Sequence, residues 1–113
     1  MKSKIVALSK NQDFKNLLKE RKISNKYLTI YFGKLSDKNN KKLNISFVAK
    51  KKLGNAVKRN KIKRKLRNIT NEAINKLSLK FDYSYLIIAK ETILENDYLD
   101  IKKTMFTEFN KIK

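Results

Sequence analysis

The sequence predicts an α+β fold in a single domain covering residues 1–113. Three observations carry that prediction. Apolar residues recur at helical spacing in three stretches, around Phe14–Leu18, Ile62–Leu77 and Tyr98–Ile112. Strand-like runs occupy Tyr27–Phe32, Leu43–Ala49 and Tyr83–Ala89. The two kinds of segment alternate irregularly, which argues against a repeated parallel α/β unit. A chain of 113 residues with 41% hydrophobic residues can bury a modest core without staples. No Pro occurs, the only Gly are Gly33 and Gly54, and no low-complexity linker divides the chain.

Ser9-Lys10-Asn11-Gln12 fits a capping box, and Phe14, Leu17 and Leu18 supply one apolar face. A short helix is therefore expected from about Lys10 to about Glu20, with room for a short strand near Arg21 to Asn25. In Tyr27–Phe32, Tyr27, Thr29 and Tyr31 point one way and Leu28, Ile30 and Phe32 the other. A polar cluster with Ser36, Asp37, Asn39 and Asn40 follows. Leu43–Ala49 places Leu43, Ile45, Phe47 and Ala49 on one face. Two strands joined by a polar loop predict an antiparallel hairpin.

Gly54-Asn55 opens a long helix, with Asn55 as N-cap and Gly54 suited to a backbone conformation other residues resist. Ile62, Leu66, Ile69, Ala73 and Leu77 form its core-facing stripe, and Ser78–Asp82 breaks it. Tyr83–Ala89 is nearly continuously apolar, as a buried strand is. A last helix from about Asn96 carries Tyr98, Ile101, Met105, Phe109 and Ile112 on one side.

The charge is the most informative property. The net charge is +19, and no acid occurs between Asp37 and Glu72. Ten of the eighteen residues 50–67 are Lys or Arg. Solvated basic helices usually interleave acids four residues away; this one has none before Glu72. Such a concentration is stable when it faces a polyanion, nucleic acid first. On a helical wheel Arg59, Lys63, Arg67, Asn60 and Arg64 fall within about 140°, beside the apolar stripe. Lys58, Lys61 and Lys65 lie on the far side. Guanidinium forks match phosphate oxygens, and Asn60 both donates and accepts.

Other functions are narrowed by what is missing. No Cys or His occurs, so disulfides, thiolate nucleophiles, imidazole catalysis and the usual zinc sites are excluded. No apolar run approaches the length of a membrane span, and Met1–Leu8 is too short a stretch for a secretory signal, so no membrane association and a cytoplasmic location are expected.

The run Gly54-Asn55-Ala56-Val57-Lys58-Arg59-Asn60-Lys61-Ile62-Lys63-Arg64-Lys65-Leu66-Arg67 resembles the bacterial ribonuclease P protein family. That family carries Gly-Asn-Ala-Val followed by Arg-Asn-Arg-x-Lys-Arg-x-x-Arg. The resemblance implies an αβββαβα fold like the second domain of ribosomal protein S5, with a left-handed βαβ crossover. It implies the protein component of an endoribonuclease holoenzyme, non-catalytic alone, whose RNA removes the 5′ leader of precursor tRNA with magnesium held chiefly by the RNA. The implied partners are that catalytic RNA and precursor tRNA, with no obligate protein partner. The implied RNA-facing residues are Lys51, Lys52, Asn55, Arg59, Asn60, Lys61, Lys63, Arg64 and Arg67; Phe14 and Tyr31 would line the leader cleft. From spacing alone, Phe14 and Tyr31 fit core packing as well as binding.

The chain departs from the family pattern in two single residues and one short segment. Lys61 stands for an Arg, Leu18 for a second cleft aromatic, and Val48-Ala49-Lys50-Lys51-Lys52 for Ser-Val-Ser-Lys-Lys. Two other readings fit the charge: a structural ribosomal or ribosome-assembly RNA-binding protein, and a helix-turn-helix DNA-binding protein. Against the second, a strand and a Gly-Asn entry precede the basic helix instead of a partner helix.

Overall fold

The computed structural model describes residues 5–7, 11–34, 43–77, 83–95 and 97–112. The elements are β1 (Ile5–Val6), α1 (Asn11–Leu18), β2 (Arg21–Ser24), β3 (Leu28–Gly33), β4 (Leu43–Val48), α2 (Ala56–Lys76), β5 (Ser84–Ala89) and α3 (Tyr98–Lys111). Short 3-10 turns at Lys51–Leu53 and Glu91–Glu95 precede α2 and α3. After the two-residue β1 the order is the expected αβββαβα. Ser9 of the capping box and the turn at 35–42 lie outside the described residues. So does the break at 78–82.

One pairing departs from expectation. The five strands run in the order β1-β4-β5-β3-β2, so β3 and β4 do not form a hairpin. β5 lies between them, antiparallel to β3 and parallel to β4. The physical reason is the apolarity of β5: Tyr85, Leu86, Ile87 and Ala89 are buried, on both faces of the strand. A strand apolar on both faces belongs in the middle of a sheet, flanked on each side. The parallel β4–β5 pair is then joined through α2, as a crossover connection requires.

The sheet is covered on both faces. On one, Leu28, Ile30, Phe32, Leu43, Ile45, Tyr85 and Ile87 pack with Ile62, Leu66, Ile69 and Ala73 of α2 and Ile101, Met105 and Phe109 of α3 in a single core. Tyr85 meets Phe109 edge to face at 6.3 Å between ring centres. On the other face α1 packs against β3 and β5, and Leu17 and Leu86 are buried apart from the main core. Helix α1 is shorter than expected because the chain tightens at once: Lys19 and Glu20 N–H donate to the Asn16 and Leu17 carbonyls, and β2 begins at Arg21.

The short β1 leaves much of the sheet edge uncovered. It pairs in parallel with Leu43 and Asn44 only. Beyond them the outer edge of β4 has no strand partner among the described residues.

The junction into α2 depends on two residues. Gly54 adopts φ 135° and ψ −167°, a region essentially restricted to glycine. Asn55 caps the helix: its side-chain oxygen accepts from the Lys58 N–H at 3.0 Å. A methyl group at Gly54 would also lie 2.8 Å from the Lys58 side chain. Gly54→Ala is expected to lower the unfolding free energy by about 1–3 kcal/mol in a urea titration. Gly33→Ala, whose nearest neighbour is the flexible Glu20 side chain, should cost less. Equal losses would contradict the assignment of strain to Gly54.

Candidate nucleic-acid interface

Helix α2 carries eight cations and one carboxylate, Glu72. That carboxylate is turned away from the basic residues and sits 3.1 Å from Lys102 of α3. Partial burial and then the charge of Glu72 push the Tyr98 hydroxyl above its ordinary pKa, which places the carboxylate on the α3 side. Nothing acidic lies in the first turn of α2, although the positive end of the helix dipole favours an anion there.

Arg59 and Lys63 are half-buried, while Asn60, Arg64 and Arg67 are exposed, as the wheel predicts. The Nε of Arg59 is shielded from solvent and has no hydrogen-bond partner among the described residues. A buried donor left without an acceptor costs about 1–3 kcal/mol.

Two recesses open on the α1 side of the sheet. The first, of about 540 Å³, lies at the open edge of β4. Phe14 of α1, Ser46 and Val48 of β4, and Lys63 and Arg67 of α2 line it. The two cations reach around the sheet edge from the core side, so an aromatic ring and two positive charges face one space. The second recess, of about 450 Å³, holds Tyr31 and Thr29 of β3, Ile88 of β5, and Lys26, Lys50, Lys52 and Lys90, with Glu91 as the single acid.

The register joins the two recesses. Tyr31 stands opposite Leu86, which stands opposite Ser46; Thr29 stands opposite Ile88, which stands opposite Val48. All six side chains therefore share one face. Thr29, Tyr31, Val48 and Ile88 are half-buried, a row that is neither core nor fully solvated. Lys90 is fixed at the rim by donating to Ser24 Oγ at 2.7 Å and the Asn25 carbonyl at 2.5 Å. The Thr92 hydroxyl donates to the Lys26 carbonyl, tying the 3-10 turn to the β2–β3 connection.

The structure thus brings Phe14 together with Lys63 and Arg67, and Tyr31 together with Lys52. Asn60 and Arg64 extend the basic face outward. Lys51 is exposed on the 3-10 turn and lines neither recess. The carbonyl oxygen of the Asn55 side chain is engaged in capping. Lys61 points to the opposite flank of α2, with Lys58 and Lys65. Leu18 is 49% exposed and lines neither recess. Sequence reasoning missed Lys26, Lys90, Ser46 and Ile88 as parts of the site. The strand alternation carried the signal for Ser46 and Ile88, but only the register shows that they join Tyr31.

A metal ion does not fit these recesses. Among the described residues no group of three acidic side chains gathers where an ion could be held. Cations line both spaces and would repel it. No described helix is long and apolar enough to cross a membrane.

A family model described as Ribonuclease P matches residues 3–113. The chain is similar to the ribonuclease P protein component of Mesoplasma florum, 35% identical over 113 residues, covering 99% of this chain and 94% of that protein. It is 33% identical to the corresponding Bacillus pumilus protein over 105 residues, covering 92% and 85%. Among solved structures, the Staphylococcus aureus RNase P protein superposes with a TM-score of 0.70 at 29% identity, covering 94% and 93%. The Thermotoga maritima RNase P protein shares the fold with a TM-score of 0.79 at 22% identity, covering 96% and 98%. With the family model matching nearly the whole chain and relatives above 30% identical along almost all of it, the chain belongs to the ribonuclease P protein family.

Proposed function

We propose that this protein is the non-catalytic subunit of a ribonucleoprotein ribonuclease P, holding the 5′ leader of precursor tRNA against the catalytic RNA that removes it. The observation that carries this reading is the juxtaposition of Phe14 with Lys63 and Arg67 at the open edge of β4. An aromatic face and two cations in one groove suit a single strand, with a base stacked and the backbone neutralised. A duplex would not follow a groove that wraps a sheet edge.

The division of labour follows from the side chains. Arg59, Asn60 and Arg64, outside that groove, present forked and amide donors that match phosphate oxygens of the catalytic RNA. Lys52, with Lys50 and Lys90 beside Tyr31, continues the positive track across the sheet. Each phosphate neutralised contributes a salt-dependent term with a slope of about −0.7 to −0.9 in log K against log salt. The leader is oriented by these contacts, and positioning of this kind lowers the barrier without a protein group entering the reaction. Magnesium, expected in the holoenzyme, is assigned to RNA phosphates, since the protein groove is cationic.

Purified protein freed of RNA is expected to leave precursor tRNA intact and to support leader removal once the cognate catalytic RNA and magnesium are added. Cleavage by the protein alone, persisting after nuclease treatment and repurification, would contradict the subunit role. Tyr31→Ala is expected to weaken leader-bearing precursor by about 1–3 kcal/mol in equilibrium binding to the holoenzyme, while mature tRNA is little affected. Equal losses for both RNAs would return Tyr31 to a packing role.

A further inference from the structure

The connection between β2 and β3 ties helix α3 to the recess that holds Tyr31. Glu108 of α3 is only 5% exposed, and a carboxylate is rarely buried so deeply unless it is paired. Its Oε2 accepts from the Asn25 side-chain amide at 3.3 Å, and its Oε1 lies 3.1 Å from the Lys111 ammonium. An ionised carboxylate only accepts hydrogen bonds, so it fixes which way the Asn25 amide faces. With its NH2 turned to Glu108, Asn25 presents Oδ1 to its own chain. That oxygen accepts from the Tyr27 and Leu28 N–H groups at 2.8 and 3.0 Å. The Asn25 N–H in turn donates to the Leu28 carbonyl. The turn is closed from inside and anchored to α3.

The same turn holds Lys90. The Lys90 N–H donates to the Tyr27 carbonyl at 2.8 Å. Its ammonium donates to the Asn25 carbonyl and to Ser24 Oγ, which shares a hydrogen bond of 3.2 Å with Thr29 Oγ1. Lys90, Thr29 and Tyr31 line one recess. A lysine side chain loses rotamer freedom when it is fixed. Here that loss occurs on folding, so binding does not repeat it. An ammonium has three donors, and among the described residues the rim takes two of them.

We infer that Asn25, oriented by Glu108, is a positioning residue for the leader: it sets Lys90 beside Tyr31 with one donor left for a phosphate of the strand. The inference rests on the leader reading of this recess. Asn25 and Glu108 act through Lys90 and make no contact with RNA themselves.

Asn25→Asp keeps the oxygen that accepts from Tyr27 and Leu28, but it removes the donor to Glu108 and sets two carboxylates against each other. Adding Glu108→Gln restores the bond with its polarity reversed, at the net charge of the natural pair. The measurement is equilibrium binding of leader-bearing precursor and of mature tRNA to the complex of full-length protein and catalytic RNA, with urea unfolding of each protein alongside. Asn25→Asp is expected to lower the preference for the leader by about two- to tenfold, and Asn25→Asp/Glu108→Gln to recover it. In a Lys90→Gln background, Asn25→Asp should change the preference no further, although it still lowers the unfolding midpoint. An effect of equal size in both backgrounds would overturn the inference, because Asn25 would then act without Lys90. An unchanged preference in Asn25→Asp, or a double variant as weak as the single one, would also overturn it while leaving the leader reading intact. A Lys90→Gln protein that keeps the full leader preference would overturn the leader reading of this recess, and the inference with it. If Asn25→Asp does not fold, Glu108→Leu, which removes the acceptor and leaves an apolar side chain, replaces it in the comparison of the two backgrounds, with the same expected and contrary outcomes.

Discussion

The burial of one stripe of α2 against the sheet is the interaction on which the rest of the molecule depends. Ile62, Leu66, Ile69 and Ala73 hold in place a helix whose cations repel one another. Fully burying a large aliphatic side chain contributes about 1.5–3 kcal/mol, whereas an exposed like-charge pair one turn apart costs a few tenths. Packing wins, and it fixes the azimuth of every cation on the helix. Lys63 and Arg67 are thereby held at the sheet edge, and Lys58, Lys61 and Lys65 are turned to the other flank.

The sheet supplies what the helix cannot. With β5 at its centre, the face carrying Tyr31, Leu86 and Ser46 becomes continuous from β3 to β4. Helix α1 buries the middle of that face at Leu17 and Leu86 and leaves the flanking row half open. Because β1 stops after two residues, the edge of β4 is left for Phe14, Lys63 and Arg67 to frame. A longer β1 would complete the sheet and close that edge. The sheet edge is left unfinished here, and the charges of Lys63 and Arg67 beside it discourage pairing by another protein strand.

Much of this was legible in the chain, for local reasons. The cap at Asn55, the need for glycine at 54, the stripe from Ile62 to Ala73 and the basic face beside it all follow from helical geometry within about twenty residues. The same periodicities give the order αββαβα with room for the short β2, and the full αβββαβα order is what the family resemblance implies. The hairpin expected between Tyr27–Phe32 and Leu43–Ala49 does not form, because the two-sided apolarity of Tyr83–Ala89 takes the central place between them. The second recess was illegible for a related reason: Lys26, Tyr31, Lys52 and Lys90 meet only once the order of the strands is known. Phe14 and Tyr31 were ambiguous from spacing alone, and both stand half-buried at the rims of recesses, apart from the main core.

The most direct measurement is the identity of the RNA that travels with this protein in its own cells. The protein would be isolated under native conditions at moderate salt and its bound RNA sequenced. A single small stable RNA, accompanied by tRNA precursors still carrying their 5′ leaders, is the predicted result. Ribosomal RNA recovered in subunit proportions, with no enrichment of leader-bearing precursors, would contradict it.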